Sequence, residues 1–366
     1  MIKNILLILP LFLFLSSCRK EVSDEVTSTE TVVNTSYFIK PWRKISYSDL
    51  VKVRSFAIFN DQLYMAANNT YGFSEDSYIY NLKSVGYAGY TYPDTYTGGF
   101  EYIDEQFEFN NFASPVGVSS MRTISDRLYI GGDFRYGNNY YDLIYLEADL
   151  SVHSVGFSHA SFSSGMIHNI GEYNGDPIIC GNFNATVNTE FFTSHVELIQ
   201  NNAAVGMASL NGAAYDSEVF DGELYVVGQS DQIVTWNGSS WTAVNYIGKT
   251  ITDKVYAVEI HNSELYFLGD FTGTSVLKKY STSTGWSDVD GITSFSVPTY
   301  STLKVLDNEL FVVGRYFQSE GVEGSIWKLN ALNQWRKFGD LTLQIRDLIK
   351  FKSKYYAAAE DGVYLY

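Results

Sequence analysis

The stretch Leu128-Tyr129-Ile130-Gly131-Gly132-Asp133-Phe134 decides the fold, because variants of it recur along the whole chain. Each copy is predicted to be a short buried strand that ends on small residues and is followed by a polar turn. The six other copies are Leu63 to Asn68, Pro177 to Phe183, Leu224 to Gln229, Leu265 to Phe271, Leu310 to Arg315 and Tyr355 to Glu360. The pattern therefore predicts seven repeats.

The spacing of the repeats follows from the last small residue of each copy. These markers are Ala67, Gly132, Gly181, Gly228, Gly269, Gly314 and Ala359, at intervals of 65, 49, 47, 41, 45 and 45 residues. A period in the forties with several short strands per unit is typical of a propeller blade. A helical repeat of this length would need an apolar period of 3.6 residues, and the units do not have one.

The fifth unit shows how one repeat is built. Val255 to Ile260 alternates as a strand, and the turn His261 to Glu264 contains Asn and Ser, as a tight hairpin requires. Leu265 to Leu268 is apolar on both faces, which predicts a strand buried between sheets. Two outer strands are marked by Tyr280 and Trp286.

An apolar strand ending in Gly, followed by Tyr and then by Trp about six residues later, resembles the kelch repeat and the central domain of galactose oxidase. The resemblance covers nearly all of the chain after its N-terminus. The glycine pair is complete only in the second unit, and Trp is missing from the second and third units. The resemblance implies an all-β propeller.

The chain ends predict how the ring of blades is completed. The seventh unit stops at Val363 to Tyr366, one strand short of a full blade, and Trp42-Arg43-Lys44-Ile45 repeats the pattern of Trp335-Arg336-Lys337-Phe338 in unit six. We therefore expect an all-β fold, a seven-bladed propeller of four-stranded blades, closed by an N-terminal strand that pairs with the C-terminal blade. Such closure leaves no long free strand edge.

The N-terminus predicts export and lipid attachment. Residues 1–17 have Lys3 and then an apolar run too short to span a membrane, as in a signal peptide. Leu15-Ser16-Ser17-Cys18 resembles a bacterial lipobox, which implies cleavage before Cys18 and lipidation of its thiol. Residues 18–36, rich in Ser, Thr, Glu and Val, are expected to be a flexible tether, and 37–366 a single propeller. An ordinary secretory signal is the alternative.

Charge and cysteine content narrow the partners. The net charge of −16 repels nucleic acid and anionic lipid headgroups, so membrane attachment depends on the acyl chains. We expect a monomeric outer-membrane lipoprotein of a Gram-negative cell envelope. The sequence does not decide between the periplasmic and the surface-exposed side of that membrane. Cys180 takes the place of Gly131 in its repeat, which predicts a small core residue rather than a nucleophile.

The first unit carries an insert that is the first candidate site. Ala67 and Tyr102, its expected third-strand aromatic, are 35 residues apart, against 11 between Gly269 and Tyr280. The insert, residues 68–98, contains the candidates Tyr78, Tyr80, Tyr87, Tyr90, Tyr92 and Tyr96. Long loops in compact domains are usually functional or disordered, and exposed tyrosines suit stacking on sugars or docking a partner. Packing against blade 1 is the structural alternative.

The residues that follow the markers are the second candidate set. In a propeller the loops after the second strands share one face with the loops between blades, and the insert is expected to rise from that face too. The candidates are Asp133, Asn182, Asp270, Arg315 and Glu360. The alternative is that these polar residues only cap strands.

Catalytic and metal motifs were sought and not found in the sequence. His153, His159 and His168 have neither the i, i+4 spacing nor the carboxylates of a metal site, and Asp288 to Gly291 falls short of a calcium loop. The sialidase box and the Gly-x-Ser-x-Gly elbow are absent. We expect no cofactor and no metal.

Three functional hypotheses follow from these observations. The first is a non-catalytic binding module for glycan or protein, acting through the insert-bearing face. The second is a scaffold subunit of an outer-membrane assembly complex. The third is a carbohydrate-active enzyme that uses loop carboxylates, whose separation decides such chemistry and is invisible in a sequence.

Overall fold

The chain divides into two units, Met1–Phe38 and Ile39–Tyr366. The computed structural model describes residues of the second unit: 42–44, 51–69, 76–82, 100–102, 118–136, 139–155, 166–183, 185–187, 190–192, 195–207, 210–229, 233–246, 248–250, 253–271, 276–294, 297, 300–319 and 321–366. Within these ranges, no helix has the length and apolar character needed to cross a membrane.

The described residues form antiparallel β-sheets of four strands. After β1 (Arg43–Lys44), blade 1 contains β2 (Val51–Phe59), β3 (Gln62–Asn69), β4 (Asp76–Leu82) and β5 (Phe100–Tyr102). Blade 2 contains β6 (Val118–Ile124), β7 (Arg127–Tyr136), β8 (Asn139–Leu146) and β9 (Val152–Ser154). Blade 3 contains β10 (Met166–Tyr173) and β11 (Asp176–Asn182), then a separate hairpin of β12 (Ala185–Val187) and β13 (Glu190–Phe192), then β14 (Val196–Gln200) and β15 (Ala203–Gly206).

The second half of the chain repeats this order. Blade 4 contains β16 (Ala214–Phe220), β17 (Glu223–Gly228), β18 (Ile233–Trp236) and β19 (Trp241–Ala243). Blade 5 contains β20 (Lys254–His261), β21 (Glu264–Asp270), β22 (Leu277–Ser281) and β23 (Gly285–Asp288). Blade 6 contains β24 (Thr302–Leu306), β25 (Glu309–Ser319), β26 (Val322–Leu329) and β27 (Trp335–Lys337). The last strands are β28 (Ile345–Phe351), β29 (Lys354–Ala359) and β30 (Gly362–Leu365).

The fold is an all-β propeller of four-stranded antiparallel blades. Six blades are made of consecutive strands in the part of the chain that the structure describes, where the sequence pattern predicted seven copies. The seventh repeat supplies only β28, β29 and β30, and β1 pairs beside them, with Arg43 opposite Leu365 and Lys44 opposite Tyr364. We call this four-stranded arrangement the C-terminal sheet.

The predicted hairpin turns are confirmed by the backbone. Both central residues have positive φ in the turn between the first two strands of blades 1, 3, 4, 5 and 6, for example Asn174 at 54° and Gly175 at 86°. Such turns match the twist of the flanking strands, and Asn, Asp and Gly adopt them at low cost. The same short signal in each repeat therefore fixes where each blade begins.

The stretch quoted first forms part of a buried second strand, with one correction. Leu128 and Ile130 are fully buried, but β7 continues to Tyr136, so Asp133 lies within the strand rather than in a turn. The register breaks between Gly131 and Phe134. The marker glycines do permit close backbone approach: a Cβ on Gly228 would lie 2.3 Å from the carbonyl oxygen of Ala213.

The bounds expected for the insert in blade 1 are wrong. The third strand, β4, lies inside residues 68–98, and Tyr78 and Tyr80 belong to it, opposite Ala67 and Met65. Tyr102 is in the fourth strand, opposite Tyr80, and not in the third. The rest of the expected insert, residues 83–99, lies outside the described residues, so the face from which it rises stays a prediction.

Apolar clusters fill the spaces between neighbouring sheets. The C-terminal sheet contacts blade 6 on one side, where Phe311 and Val313 pack with Ile345 and Leu348. On its other side, Phe351, Tyr356, Ala358 and Val363 pack with Val53, Phe56, Leu63, Met65 and Ala67 of blade 1. Residues more than 280 positions apart thus share one core.

Trp42 fastens the N-terminal strand. Its side chain is 7% exposed, its indole N–H donates to the carbonyl oxygen of Phe338 at 3.2 Å, and its backbone N–H donates to Asp340 Oδ1 at 3.1 Å. The ring also packs 5.2 Å from the ring of Tyr366, centroid to centroid. Trp42 therefore joins the N-terminal strand to blade 6 and to the end of the chain.

We predict that Trp42→Ala lowers the free energy of unfolding by about 3–5 kcal/mol, because it removes a buried indole together with two anchoring contacts. Denaturant unfolding of the purified chain measures this. Leu332→Ala is the control, since Leu332 is 77% exposed and should change stability little. Equal stability of the Trp42 variant and the wild type would show that the N-terminal strand does not support the ring.

Candidate functional site

The first strands of neighbouring sheets lie side by side, and those of the six blades border one cavity, which we call the channel. Most of these strands carry an irregularity near their start. In six of these seven strands, all except β24, the pairing with the second strand passes over one residue near the start of the first strand, which forms a β-bulge. The skipped residues are Arg54, Ser119, His168, Tyr215, Tyr256 and Arg346. A bulge of this kind re-aims a side chain, and bulges are enriched beside functional sites.

We call these six residues, together with Tyr300, the channel mouth. His168 and Tyr215 have ring centroids 5.0 Å apart, and Tyr215 and Tyr256 are 5.4 Å apart. The guanidinium carbon of Arg346 lies 4.0 Å from the ring centroid of Tyr300, which is 42% exposed. Rings from three consecutive blades therefore form one row, with a stacked arginine–tyrosine pair at another point of the channel mouth.

Two of the sequence-predicted residues hold the channel mouth in place. Asp270 Oδ2 accepts a hydrogen bond from the Tyr256 hydroxyl at 3.1 Å, and its Oδ1 accepts one from the backbone N–H of Val297 at 2.7 Å. Glu360 Oε1 accepts from Arg346 Nη2 at 3.1 Å. Asp270 and Glu360 thus orient mouth residues at the end of the ring where the second strands finish.

The other described candidates are placed by their strands. Asn182 is exposed at the end of β11, and Asp133 and Arg315 lie within the long strands β7 and β25. Tyr78 and Tyr80 are in β4. The remaining candidates lie outside the described residues: Tyr87, Tyr90, Tyr92 and Tyr96.

Extended hairpins flank the channel mouth on the same face. β25 has 11 residues against 7 in β21, which carries the hairpin of blade 6 about 13 Å further at a rise of about 3.3 Å per residue. Gln318 and Thr293 exchange backbone hydrogen bonds of 2.9 and 2.8 Å, so the blade 6 hairpin is pinned to the segment between blades. β7–β8 and β12–β13 are further hairpins on this face.

Below the mouth, the channel is lined by side chains that bond to the next blade. Its cavity has a volume of about 310 Å³. Ser55 Oγ accepts from the N–H of Met121 at 3.1 Å, and Asp216 Oδ2 accepts from the N–H of Val258 at 3.0 Å. The first strand of each sheet has a free edge toward the channel, and these bonds satisfy its N–H groups.

The C-terminal sheet makes the same contact with blade 1. Asp347 Oδ2 accepts from the N–H of Phe56 at 2.8 Å, and its Oδ1 accepts from the N–H of Leu348 at 2.9 Å. Lys304 Nζ lies 2.8 Å from Asp347 Oδ1. Asp347 therefore joins blade 6, the C-terminal sheet and blade 1 through one carboxylate.

Charged groups concentrate inside the channel and shift one another's pKa values. Burial raises the pKa of Glu259 to about 7, with Glu218 as the next cause, and burial beside Asp216 raises the pKa of Glu218. Burial alone would lower the pKa of Lys304, but Asp347 and Glu259 outweigh it and the pKa is raised. The channel thus holds a carboxyl group that can be protonated near neutral pH.

Burial shifts the pKa values of two rings at the mouth. Burial lowers the pKa of His168 to about 4, with His195 as a further cause, so the imidazole is neutral at neutral pH. Burial also raises the pKa of Tyr215. At neutral pH the row of rings is therefore uncharged, and charge at the mouth comes from the arginines and from the carboxylates that orient the row.

The channel mouth was not predicted from the sequence, although its six bulge residues share a local sequence pattern. Each bulge residue stands between a small or apolar residue and a small or polar one, as in Ile167-His168-Asn169, Ala214-Tyr215-Asp216 and Ile345-Arg346-Asp347. Strict alternation assigns the central residue of such a triplet to one face of a strand. The triplet by itself does not predict a bulge. It is the bulge that takes the central side chain out of this alternation.

The structure also places Cys180. Cys180 is fully buried, and burial raises the pKa of its thiol to about 12, which agrees with a core residue. No group of three or more His, Cys, Asp or Glu side chains positioned to hold a metal ion occurs in the ranges that the structure describes.

Comparison with known proteins supports the fold. No protein-family model and no curated protein sequence matches this chain. A catalytically inactive variant of virginiamycin B lyase from Staphylococcus aureus, with quinupristin, is similar at a TM-score of 0.55 and 10% identity, over 88% of this chain and 97% of that one. YCF48 bound to D1 peptide is similar at 0.52 and 11%, over 89% and 96%. Both show the fold alone.

BamB from Moraxella catarrhalis also resembles the chain, with a TM-score of 0.42 and 11% identity over 86% of this chain and 82% of that one. That likeness is too low to bear on function. The comparisons therefore establish a β-propeller and leave its ligand to be inferred from the site.

We predict that the change in melting temperature caused by Glu259→Gln, mutant minus wild type, is about 3 °C more positive at pH 8 than at pH 5. The raised pKa means that folding favours protonated Glu259. The contribution of Glu259 protonation to the free energy of unfolding is complete below about pH 4.5 and is lost as the pH rises through about 7. Thermal unfolding of both proteins across this range measures the difference.

The control for this experiment is Glu323→Gln, which changes an exposed carboxylate at the start of β26. It should leave the pH dependence of the melting temperature as in the wild type. Parallel wild-type and Glu259→Gln curves from pH 5 to pH 8 would contradict the raised pKa.

Proposed function

We propose that this protein is a non-catalytic binding module that takes a glycan or a protein segment at the channel mouth. The observation that carries the proposal is the exposed ring of Tyr300 stacked on Arg346, together with the half-buried rings of His168 and Tyr215, which pack in a row with the buried Tyr256. Tyrosine and arginine dominate the energetic centres of binding surfaces because they offer large contact areas with polar tips. Their occurrence at equivalent positions of several blades gives one convergent surface.

The mouth is held in one geometry before a ligand arrives. Asp270 fixes the hydroxyl of Tyr256, and Glu360 fixes Arg346, whose side chain is only 9% exposed. Groups held before the ligand arrives lose little conformational entropy on binding. The mouth therefore suits recognition of a preformed shape.

We further propose that six contiguous blades and the C-terminal sheet form one closed ring of seven, kelch-like in architecture. Three contacts support this: the Arg43–Leu365 strand pairing, the bond from Phe56 N–H to Asp347, and the apolar cluster between blade 1 and the C-terminal sheet. A closed ring has no long free edge and keeps its mouth rigid.

The proposed location is the outer membrane of a Gram-negative cell envelope. The lipobox-like residues 15–18 and the polar residues after them support a lipid anchor at Cys18 followed by a tether. Such a tether lets a folded binding module reach ligands away from the membrane surface. Lipidation is tested by metabolic labelling with a fatty acid, which should fail in Cys18→Ala.

A scaffold subunit in an envelope assembly is the second candidate function. The extended hairpins β7–β8, β12–β13 and β25–β26 favour it, because they enlarge the mouth face toward the size of a protein–protein contact. Stable recovery of one membrane-protein complex with the chain would distinguish this role from the binding of free ligands.

We predict that a Tyr215→Ala and Tyr300→Ala double variant of the soluble chain 37–366 binds its ligand at least about ten-fold more weakly. The loss of two contact rings at the centre of the site is the reason. A glycan array and a pull-down from envelope extracts identify ligands first, and titration of the strongest hit measures the change.

Leu332→Ala serves as the matched control, because it removes exposed apolar area from the outer turn of blade 6, at the opposite end of the ring. It should bind as the wild type does. If the double variant keeps its fold and full affinity for every hit, the mouth is not the binding site.

A further inference from the structure

A second cavity lies at the end of the ring opposite the channel mouth. It occupies about 470 Å³ between blades 2 and 3. We call it the blade 2–3 groove, and its walls include Asp126, Arg127, Asp176, Pro177, Asn201 and Asn202. Turns β6–β7, β10–β11 and β14–β15 all end at this groove, so its rim is made of tight turns rather than long loops.

The groove is crossed by a fixed polar network. Arg127 Nη1 donates to Asn202 Oδ1 at 3.1 Å, which links blade 2 to blade 3. Asn202 Nδ2 donates in turn to the hydroxyl of Tyr145 at 3.1 Å. On the blade 3 side, Gln200 Nε2 donates to Asp176 Oδ2 at 2.8 Å. Polar groups on both walls are therefore held in one geometry.

Stacking adds to this rigidity. The guanidinium carbon of Arg127 lies 4.4 Å from the centroid of the Tyr145 ring, and His153 stacks on the same ring at 5.0 Å with planes 13° apart. Arg127 Nη2 also lies 3.5 Å from Glu147 Oε1. Three planar groups in a stack leave Arg127 little rotamer freedom, so its N–H groups point in set directions.

Charge and polarity restrict what the groove can hold. The groove is lined by two carboxylates, Asp126 and Asp176, and by one guanidinium, Arg127, so an anion is disfavoured. The amide of Asn201, the carboxylates and the guanidinium together supply both donors and acceptors. Hydroxyl groups need both, because each donates one hydrogen bond and accepts others.

We propose that the blade 2–3 groove binds a neutral saccharide, one or two sugar units of a glycan chain. Vicinal hydroxyls of a sugar fit planar, fixed side chains such as Arg127, Asp176 and Asn201. The volume lies in the range of small-molecule sites. This site is separate from the channel mouth and does not depend on the function proposed for it.

The test uses the full chain purified in a detergent without a sugar headgroup, and saturation-transfer NMR with maltose, cellobiose, lactose and diacetylchitobiose in the millimolar range. We expect saturation of at least one of these sugars. Asp126→Trp, which places a large ring in the groove, should abolish the signal. Asp176→Asn, which keeps the shape and removes the charge, should weaken binding about ten-fold or less.

Controls separate this site from the rest of the molecule. Leu332→Ala, in the exposed outer turn of blade 6, should leave the saccharide signal unchanged, and unchanged melting temperatures show that each variant is folded. The proposal is overturned by the absence of any saturation in the wild type, by a signal that survives Asp126→Trp, or by stronger binding of glucuronic acid than of the neutral sugars. Loss of signal in Tyr215→Ala alone would move the saccharide to the mouth.

Discussion

Hydrogen bonds between the first strands of adjacent sheets are the constraint on which the structure depends. A first strand has a bare edge toward the central channel, and its N–H groups must be satisfied without another strand beside it. Ser55, Asp216 and Asp347 each accept a backbone N–H from the next sheet. These bonds cross from blade to blade, so they tie the sheets together where apolar contact is least available.

The same constraint creates the candidate site. To place a polar side chain against the next sheet, the strand accommodates one extra residue just before it, as with Tyr215 before Asp216 and Arg346 before Asp347. That extra residue leaves the regular pairing of the strand, and its surroundings differ between blades: Tyr256 is buried in the apolar cluster between blades 5 and 6, whereas Tyr215 is half-buried. The bonds that tie neighbouring sheets together thus also set the positions of the mouth residues.

Burying carboxylates in the channel has an electrostatic cost that the fold offsets unevenly. Asp347 has Lys304 beside it, whereas Glu259 faces Glu218 and is held with a pKa of about 7. Ionisation of Glu259 therefore lowers the free energy of unfolding. The channel is accordingly a place where stability and charge are coupled, while the outer blades gain their stability from apolar burial.

The sequence by itself determined what short-range physics decides. Turn residues such as Asn174 and Gly175 fix hairpins, apolar runs fix the buried second strands, and the pattern shared by residues 42–45 and 335–338 marks strands β1 and β27. Tertiary structure alone decided the rest. Tyr102, the expected third-strand aromatic of blade 1, lies in the fourth strand opposite Tyr80, because strand order depends on pairing over distance. The channel mouth and the blade 2–3 groove exist only where separate blades meet, and contacts between blades leave no local period in the sequence.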